Sequence, residues 1–240
     1  MTRPQYGSKT GQANDGFNLD ITLESQVAPP AEVIMKTGID INTALKNLGA
    51  DSALNKTFTA SPTPPAAGTV TELLSDAGSP TEVLAWLDAD GISIKYYAAG
   101  YTDTGTKIPL NADSSSMFKR CYKLTSIDVS GFSTDNIISM ESIFLSCQGL
   151  TSLDLSSWNT NGVTNMSGMF EGCDHLTTIY VSAGFVTTNV TTDTYMFYNN
   201  MQLKGGGSPQ TAYSNAHTDK TYACIDDPAN GAPGYFTRKP

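Results

Sequence analysis

Apolar side chains recur in one register through the middle of the chain, and that register appears four times. Met117-Phe118 returns as Ile143-Phe144, Met169-Phe170 and Met196-Phe197, so the phenylalanines are 26, 26 and 27 residues apart. Cys121, Cys147 and Cys173 follow the first three phenylalanines by three positions, and Leu124, Leu150, Leu176 and Leu203 come next. Leu124, Ile127 and Val129 then end in a period-2 step, as do Leu150, Leu153 and Leu155, and Leu176, Ile179 and Val181. Each step predicts a short strand. An aromatic position follows, Phe132, Trp158 or Phe185, and after it a polar, turn-prone run. The return stretch Val163–Phe170 places apolar residues at i, i+3, i+6 and i+7. That spacing predicts one or two helical turns, with Thr164 or Asn165 as the cap. A unit of this length cannot bury its apolar face alone, so the pattern predicts stacked coils. Over residues 113–203 the expectation is a right-handed stack of three to four coils. The four phenylalanines should form one buried column and the four leucines another.

The first 110 residues follow no such period. Residues 1–16 hold almost no apolar side chains and read as an arm. Phe17, Leu19, Ile21 and Leu23 alternate with polar residues and predict a strand. Ile41–Leu48 predicts a short helix ended by Gly49, and residues 59–68, rich in Pro and Ala, a semi-rigid linker. Thr69-x-x-Glu72 reads as a capping box opening a helix that stops at Gly78. Val83–Leu87 and Ile92–Tyr97 flank Asp88-Ala89-Asp90-Gly91 and read as a β-hairpin.

Composition narrows the function. With 14 Lys plus Arg against 23 Asp plus Glu, the formal charge is −9. That balance argues against a phosphate-backbone partner, which needs clustered cations. No apolar run approaches the roughly 20 residues of a membrane span. Residues 1–20 lack the apolar centre of a signal peptide, so the expectation is either a removed signal or another route to the outside.

The repeated residues resemble the BspA-type leucine-rich repeat of bacterial surface proteins. The form here is Met-Phe-x-x-Cys-x-x-Leu-x-x-Leu-Asp-Leu-Ser, then an aromatic, Asn-Thr and Val-Thr-Asn-Met. Leu150–Cys173 is the best copy, and the resemblance covers roughly 113–203. Gly205-Gly206-Gly207 through Thr237 resembles the way such arrays terminate. The resemblance implies a leucine-rich-repeat fold and a role in attachment, with no catalytic residues and no ligand named. The third unit departs from the form, with Tyr180 where Asp128 and Asp154 stand and Asp193 where Met140 and Met166 stand.

Candidate chemical groups yield to structural readings. His175 and His217 sit in no ligand spacing. The cysteines at 26-residue spacing fall at one point on successive coils. Adjacent coils lie about 5 Å apart, so a disulfide is geometrically conceivable, but a buried thiol ladder is the expectation. Cys224 stands apart and is left unassigned. Asp88-x-Asp90-Gly91 lacks the closing glutamate of a calcium loop and reads as a turn. Gly205-Gly206-Gly207 lacks the context of a nucleotide loop and reads as a flexible turn.

Together these features predict an α/β solenoid: a leucine-rich-repeat-like stack of short strands and short helices with a mostly irregular N-terminal anchoring region. The expected division is 1–68 arm, anchor and linker; 69–112 capping helix and hairpin; 113–203 repeats; 204–240 C-terminal cap. The expected function is a non-enzymatic attachment module without cofactor or metal. A phage virion component, such as a head or tail fibre, is expected to carry it, with a secreted bacterial adhesin as the alternative. Phe17, Leu19, Ile21 and Leu23 are the expected anchor into a larger assembly or a symmetric homo-oligomer such as a trimer. Residues 1–60 are expected to be removable without unfolding the repeats. The partner is expected to be a surface glycan or protein, with no nucleic acid and no membrane insertion.

Overall fold

The computed structural model describes residues 31–52 and 54–239. Phe17, Leu19, Ile21 and Leu23, with the polar arm before them, lie outside the described residues. In chain order the elements are α1 (Gly38–Asn47), β1 (Lys56–Ala60), β2 (Glu72–Leu73), β3 (Val83–Leu87), β4 (Ser93–Ala98), β5 (Ile108–Pro109), β6 (Leu124–Ile127), β7 (Phe132–Ser133), β8 (Ser152–Asp154), β9 (Thr178–Val181) and β10 (Phe236–Arg238). They make a five-stranded sheet in the order β2-β3-β4-β1-β6, a three-stranded sheet β10-β9-β8 and a two-stranded sheet β5-β7.

Successive units lie on one another at the period of the sequence. β8 pairs parallel with β9, setting Ser152, Leu153 and Asp154 against Thr178, Ile179 and Tyr180. Bridges join Asp113 to Ser139, Ser139 to Asn165 and Asn165 to Thr192 in one line across four coils. Phe118, Phe144, Phe170 and Phe197 are fully buried. Their rings stack with centroids 5.5, 5.9 and 5.5 Å apart. Leu124, Leu150, Leu176 and Leu203 form the neighbouring buried column.

The helical turns expected on the return path do not form; the one α-helix among the described residues is α1. Each coil instead carries two residues of positive φ, four apart: Ser116 and Arg120, Ser142 and Ser146, Gly168 and Gly172, Tyr195 and Asn199. A right-handed helix cannot run through that conformation. Alternate N–H groups then point along the stack. Those of Ser142, Phe144 and Ser146 donate to the carbonyls of Ser167, Met169 and Glu171. The residues between them bond locally, as Leu145 N–H does to Ser142 and Cys147 N–H to Phe144. Asn165, expected to cap a helix, accepts the Ser167 N–H at 3.0 Å in an Asx turn.

The N-terminal division at residue 68 also differs. Phe58 is fully buried at the centre of β1, and β1 lies between β4 and β6, parallel to both. Thr59 and Ala60 therefore belong to a central strand rather than a linker. The capping-box helix from Thr69 is replaced by edge strand β2, where Glu72 and Leu73 face Ala85 and Leu84. Cross-strand pairing outweighs the local signature there. α1 begins three residues before the expected helix and ends where Gly49 takes φ +90°. Ile41, Leu45 and Phe58 share one continuous core with the repeats. Residues 31–60 thus supply the first layer of the stack, and the expectation that residues 1–60 are dispensable is corrected. The hairpin takes its expected place as antiparallel β3 and β4.

Candidate binding surface

The repeat register decides which side chains are hidden and which are displayed. Cys121, Cys147 and Cys173 are buried, unpaired thiols. Cys147 Sγ donates to the Phe118 carbonyl at 3.1 Å and Cys173 Sγ to that of Phe144 at 3.0 Å. Burial pushes Cys121 and Cys173 up to about 12, and Cys147 well above its ordinary value. Thiols so placed stay protonated and cannot serve as nucleophiles at neutral pH. A second internal ladder uses hydroxyls. Thr134 Oγ1 donates to the Asn159 carbonyl at 2.8 Å and accepts the Asn159 N–H, and Thr160 does the same with Val186 at 2.6 and 2.7 Å.

Beside the thiol ladder the chain turns outward, and the next position reads Tyr122, Gln148, Asp174 and Met201 down the coils. Gln148 Nε2 donates to Asp174 Oδ2 at 2.9 Å, and Asn199 Nδ2 reaches Asp174 Oδ1 at 3.4 Å. His175 Nδ1 lies 2.7 Å from the Gln148 carbonyl. These side chains cross three coils and border a shallow groove of about 310 Å³ lined by Tyr122, Lys123, Gln148 and His175. Further along the same edge, Tyr195, Tyr198 and Met201 project from the fourth coil.

The strand face carries a different surface. β6 and β8 belong to different sheets, and a cleft of about 230 Å³ opens between them, lined by Ser126, Asp128, Asp154 and Ser156. Lys239, after β10, reaches over the Tyr180 ring at 5.2 Å to Asp154 at 2.5 Å. Partial burial pushes the Asp154 carboxyl up, but the Lys239 and Ser156 hydrogen bonds prevail and hold it below the usual range. Among the described residues no group of three or more His, Cys, Asp or Glu could hold a metal ion.

The remaining candidates find structural partners. Asp90 accepts from the Ile92 and Ser93 N–H groups and the Ser93 hydroxyl, which draw it down to about 2. Asp88 pairs with Lys95 at 2.6 Å. His217 stacks on Tyr222 at 4.1 Å. Cys224 is half-buried, with Sγ 3.5 Å from the Pro233 carbonyl. Gly205-Gly206-Gly207 is a packed junction rather than a flexible turn, since a Cβ on Gly205 would stand 2.3 Å from both Asp226 and the Gly234 carbonyl. Asp226 binds it there through the N–H groups of Gly207, Thr211 and Gly234.

Several contributing residues escaped the sequence reading. Asn200 occupies the ladder position of the fourth coil, three residues after Phe197, and the register alone would have found it. The Thr134 and Thr160 ladder, two residues after each aromatic, carried the same signal. Asn42 in α1 had none, because no period reaches it.

The molecule is in its middle a set of stacked repeats that displays one polar, partly aromatic edge. Residues 112–218 match the family described as Mycoplasma protein of unknown function, DUF285, which is related to BspA-like surface repeat proteins. Comparison with curated proteins and with solved structures gives no match.

Proposed function

We propose that this chain is a non-enzymatic attachment module whose coils form a leucine-rich-repeat-like solenoid. The carrying observation is the stripe Tyr122, Gln148, Asp174 and Met201, set at coil spacing on one edge while the thiols and phenylalanines turn inward. A stack of this kind offers an extended surface whose contacts add coil by coil. Display at a surface, with self-association multiplying weak contacts, is the arrangement that would use it. The relationship of the matched family to surface repeat proteins supports a bacterial cell-surface carrier. The virion carrier rests on the alternating segment Phe17 to Leu23 as an anchor into an assembly.

The test uses the full-length chain, fluorescently labelled, on intact bacterial cells and on mucin-coated plates. Saturable retention that unlabelled chain displaces is the expected result. Retention on neither surface would remove the proposal. Electron microscopy with antibody against the repeats, on cells and on phage particles, separates the two carriers.

A further inference from the structure

Besides Asn200 in the ladder, the fourth coil departs from the other three at its first positive-φ position. The first positive-φ position of each coil holds Ser116, Ser142, Gly168 and then Tyr195, at φ 64, 55, 59 and 60°. Inside the stack this position holds only small residues, and a Cβ on Gly168 would stand 3.2 Å from both Ser142 Oγ and Glu171 Oε2. In the fourth coil no further coil covers it, and Tyr195 is 55% exposed. Room explains why tyrosine fits; it does not explain why tyrosine is there. A bulky side chain in the left-handed region is strained, and exposure returns little burial in compensation.

Two further observations gather on the same spot. Tyr198 lies beside Tyr195 with ring centroids 5.2 Å apart at 53°, and Met201 of the same coil is 58% exposed. The N–H at this position donates to the next coil in all three preceding coils, from Ser116 to Glu141, from Ser142 to Ser167 and from Gly168 to Thr194. The Tyr195 N–H has no acceptor among the described residues. Asn199, which follows Tyr198 in the chain, reaches the Asp174 carboxylate that also accepts from Gln148, and the Tyr213 hydroxyl accepts the Asn199 N–H and donates to Asn215.

We propose that this exposed edge of the fourth coil is a carbohydrate subsite, a ligand class that rests on the attachment reading above. Tyr195 and Tyr198 form its stacking floor. The chemistry selects the occupant: a pyranose presents an apolar C–H face to a ring and a rim of hydroxyls to planar donors and acceptors. Tyrosine supplies such contact area at low entropic cost. The Asp174 carboxylate, the Asn199 amide and the Tyr195 N–H offer the polar rim. A protein partner fits less well, because a stable interface covers about 800 Å² per side and this patch is three side chains wide.

The test applies the full-length chain to immobilised mucin glycans and bacterial polysaccharides, with free hexoses and N-acetylhexosamines as competitors. Wild type is expected to retain at least one class, displaced by the matching free sugar. Tyr195→Ala/Tyr198→Ala should weaken it by about tenfold or more, while Val70→Ala, at an exposed position outside the repeats, should not. Tyr195→Gly relieves the backbone and removes the ring, so Tm should rise as binding falls, which no folding defect can imitate. Undiminished glycan binding by the double variant overturns the proposal. So does a wild-type dimer that the double variant turns to monomer, which would assign the patch to a second copy. Attachment to cells or mucin without retention of any glycan removes the sugar subsite and leaves the attachment reading standing. Attachment to neither removes both.

Discussion

The inner coils and the two ends of the stack meet the same demand in different ways. Inside, each coil is completed by a copy of itself: Cys147 serves the Phe118 carbonyl and Cys173 that of Phe144. At the N-terminal end no earlier copy exists. There Asn42 donates to the carbonyls of Met117 and Lys119 at 3.3 and 2.9 Å and to Cys121 Sγ at 3.7 Å. At the other end Asn200 Oδ1 accepts the Cys173 N–H at 3.0 Å while its Nδ2 holds the Phe197 carbonyl. Beyond it Thr218 accepts the Phe197 N–H, and β10 arrives from the far end of the chain to pair with β9. The stack therefore requires filled donors and acceptors at fixed heights, not a given residue type. Buried backbone groups left without partners explain that requirement.

The largest effect should come from removing an end. A chain lacking residues 1–60 loses α1 and β1, and with them Ile41, Leu45 and Phe58. It should lose cooperative thermal unfolding by circular dichroism; a truncated chain that melts at the wild-type midpoint would show that the N-terminal layer is ornament. Phe144→Ala should cost about 3–5 kcal/mol in urea titration. Phe197→Ala should fall in the same range, because Tyr235 and Phe236 pack on that ring at 5.2 and 5.8 Å. A much smaller loss at Phe197 would mean that the cap seals the stack less tightly than a coil does. Asn200→Ala strands the Phe197 carbonyl and takes one acceptor from the Cys173 N–H, at a cost of about 1–3 kcal/mol. Asn200→Cys should recover only part of it, since sulfur replaces the amide oxygen poorly as an acceptor.

The thiols give a pH test of the inner coils. Their folded values are raised, Cys121 and Cys173 from 9.0 to about 12. In the unfolded chain they ionise first, so unfolding releases protons above pH 9 and stability falls as pH climbs from 9 toward 12. Replacing Cys121, Cys147 and Cys173 by alanine should flatten that descent; an unchanged slope would refute it. In the native chain only Cys224, which is half-buried, should react promptly with a thiol reagent. The smallest effect is expected at the surface. Lys239→Ala removes the ion pair to Asp154, both partners being nearly half exposed, and should leave the melting midpoint unchanged within error.

What the sequence disclosed divides along the same line. Buried columns at 118, 144, 170 and 197 follow from period alone, since one register can be buried only in phase. The return path was misread as helix because its apolar spacing suits helical turns, while the positive φ at Ser142, Ser146 and their counterparts leaves no trace in hydrophobicity. At Gly168 and Gly172 the residue type did carry the signal. The ends were hardest. β1 meets β6 across 69 residues between Thr57 and its register partner Ser126, and β10 reaches β9 across 57 between Phe236 and Ile179, and no local pattern records such pairings. Of the candidate surface, Tyr122 and His175 could be placed by register, but the exposure of Tyr195 depends on the absence of a fifth coil.

A ladder whose ends recognise height rather than identity has a consequence for length. Within the stack the Asn42 side chain hydrogen-bonds to the first coil and that of Asn200 to the third and fourth. A duplication or loss of one 26-residue unit between them would present both ends with the same carbonyls and N–H groups as before. Insertion or removal of a whole unit in the register shared by the stretches around Phe118 and Phe144 would therefore lengthen or shorten the displayed edge in a single step. Its reach could then change by whole coils while its closures stay fixed.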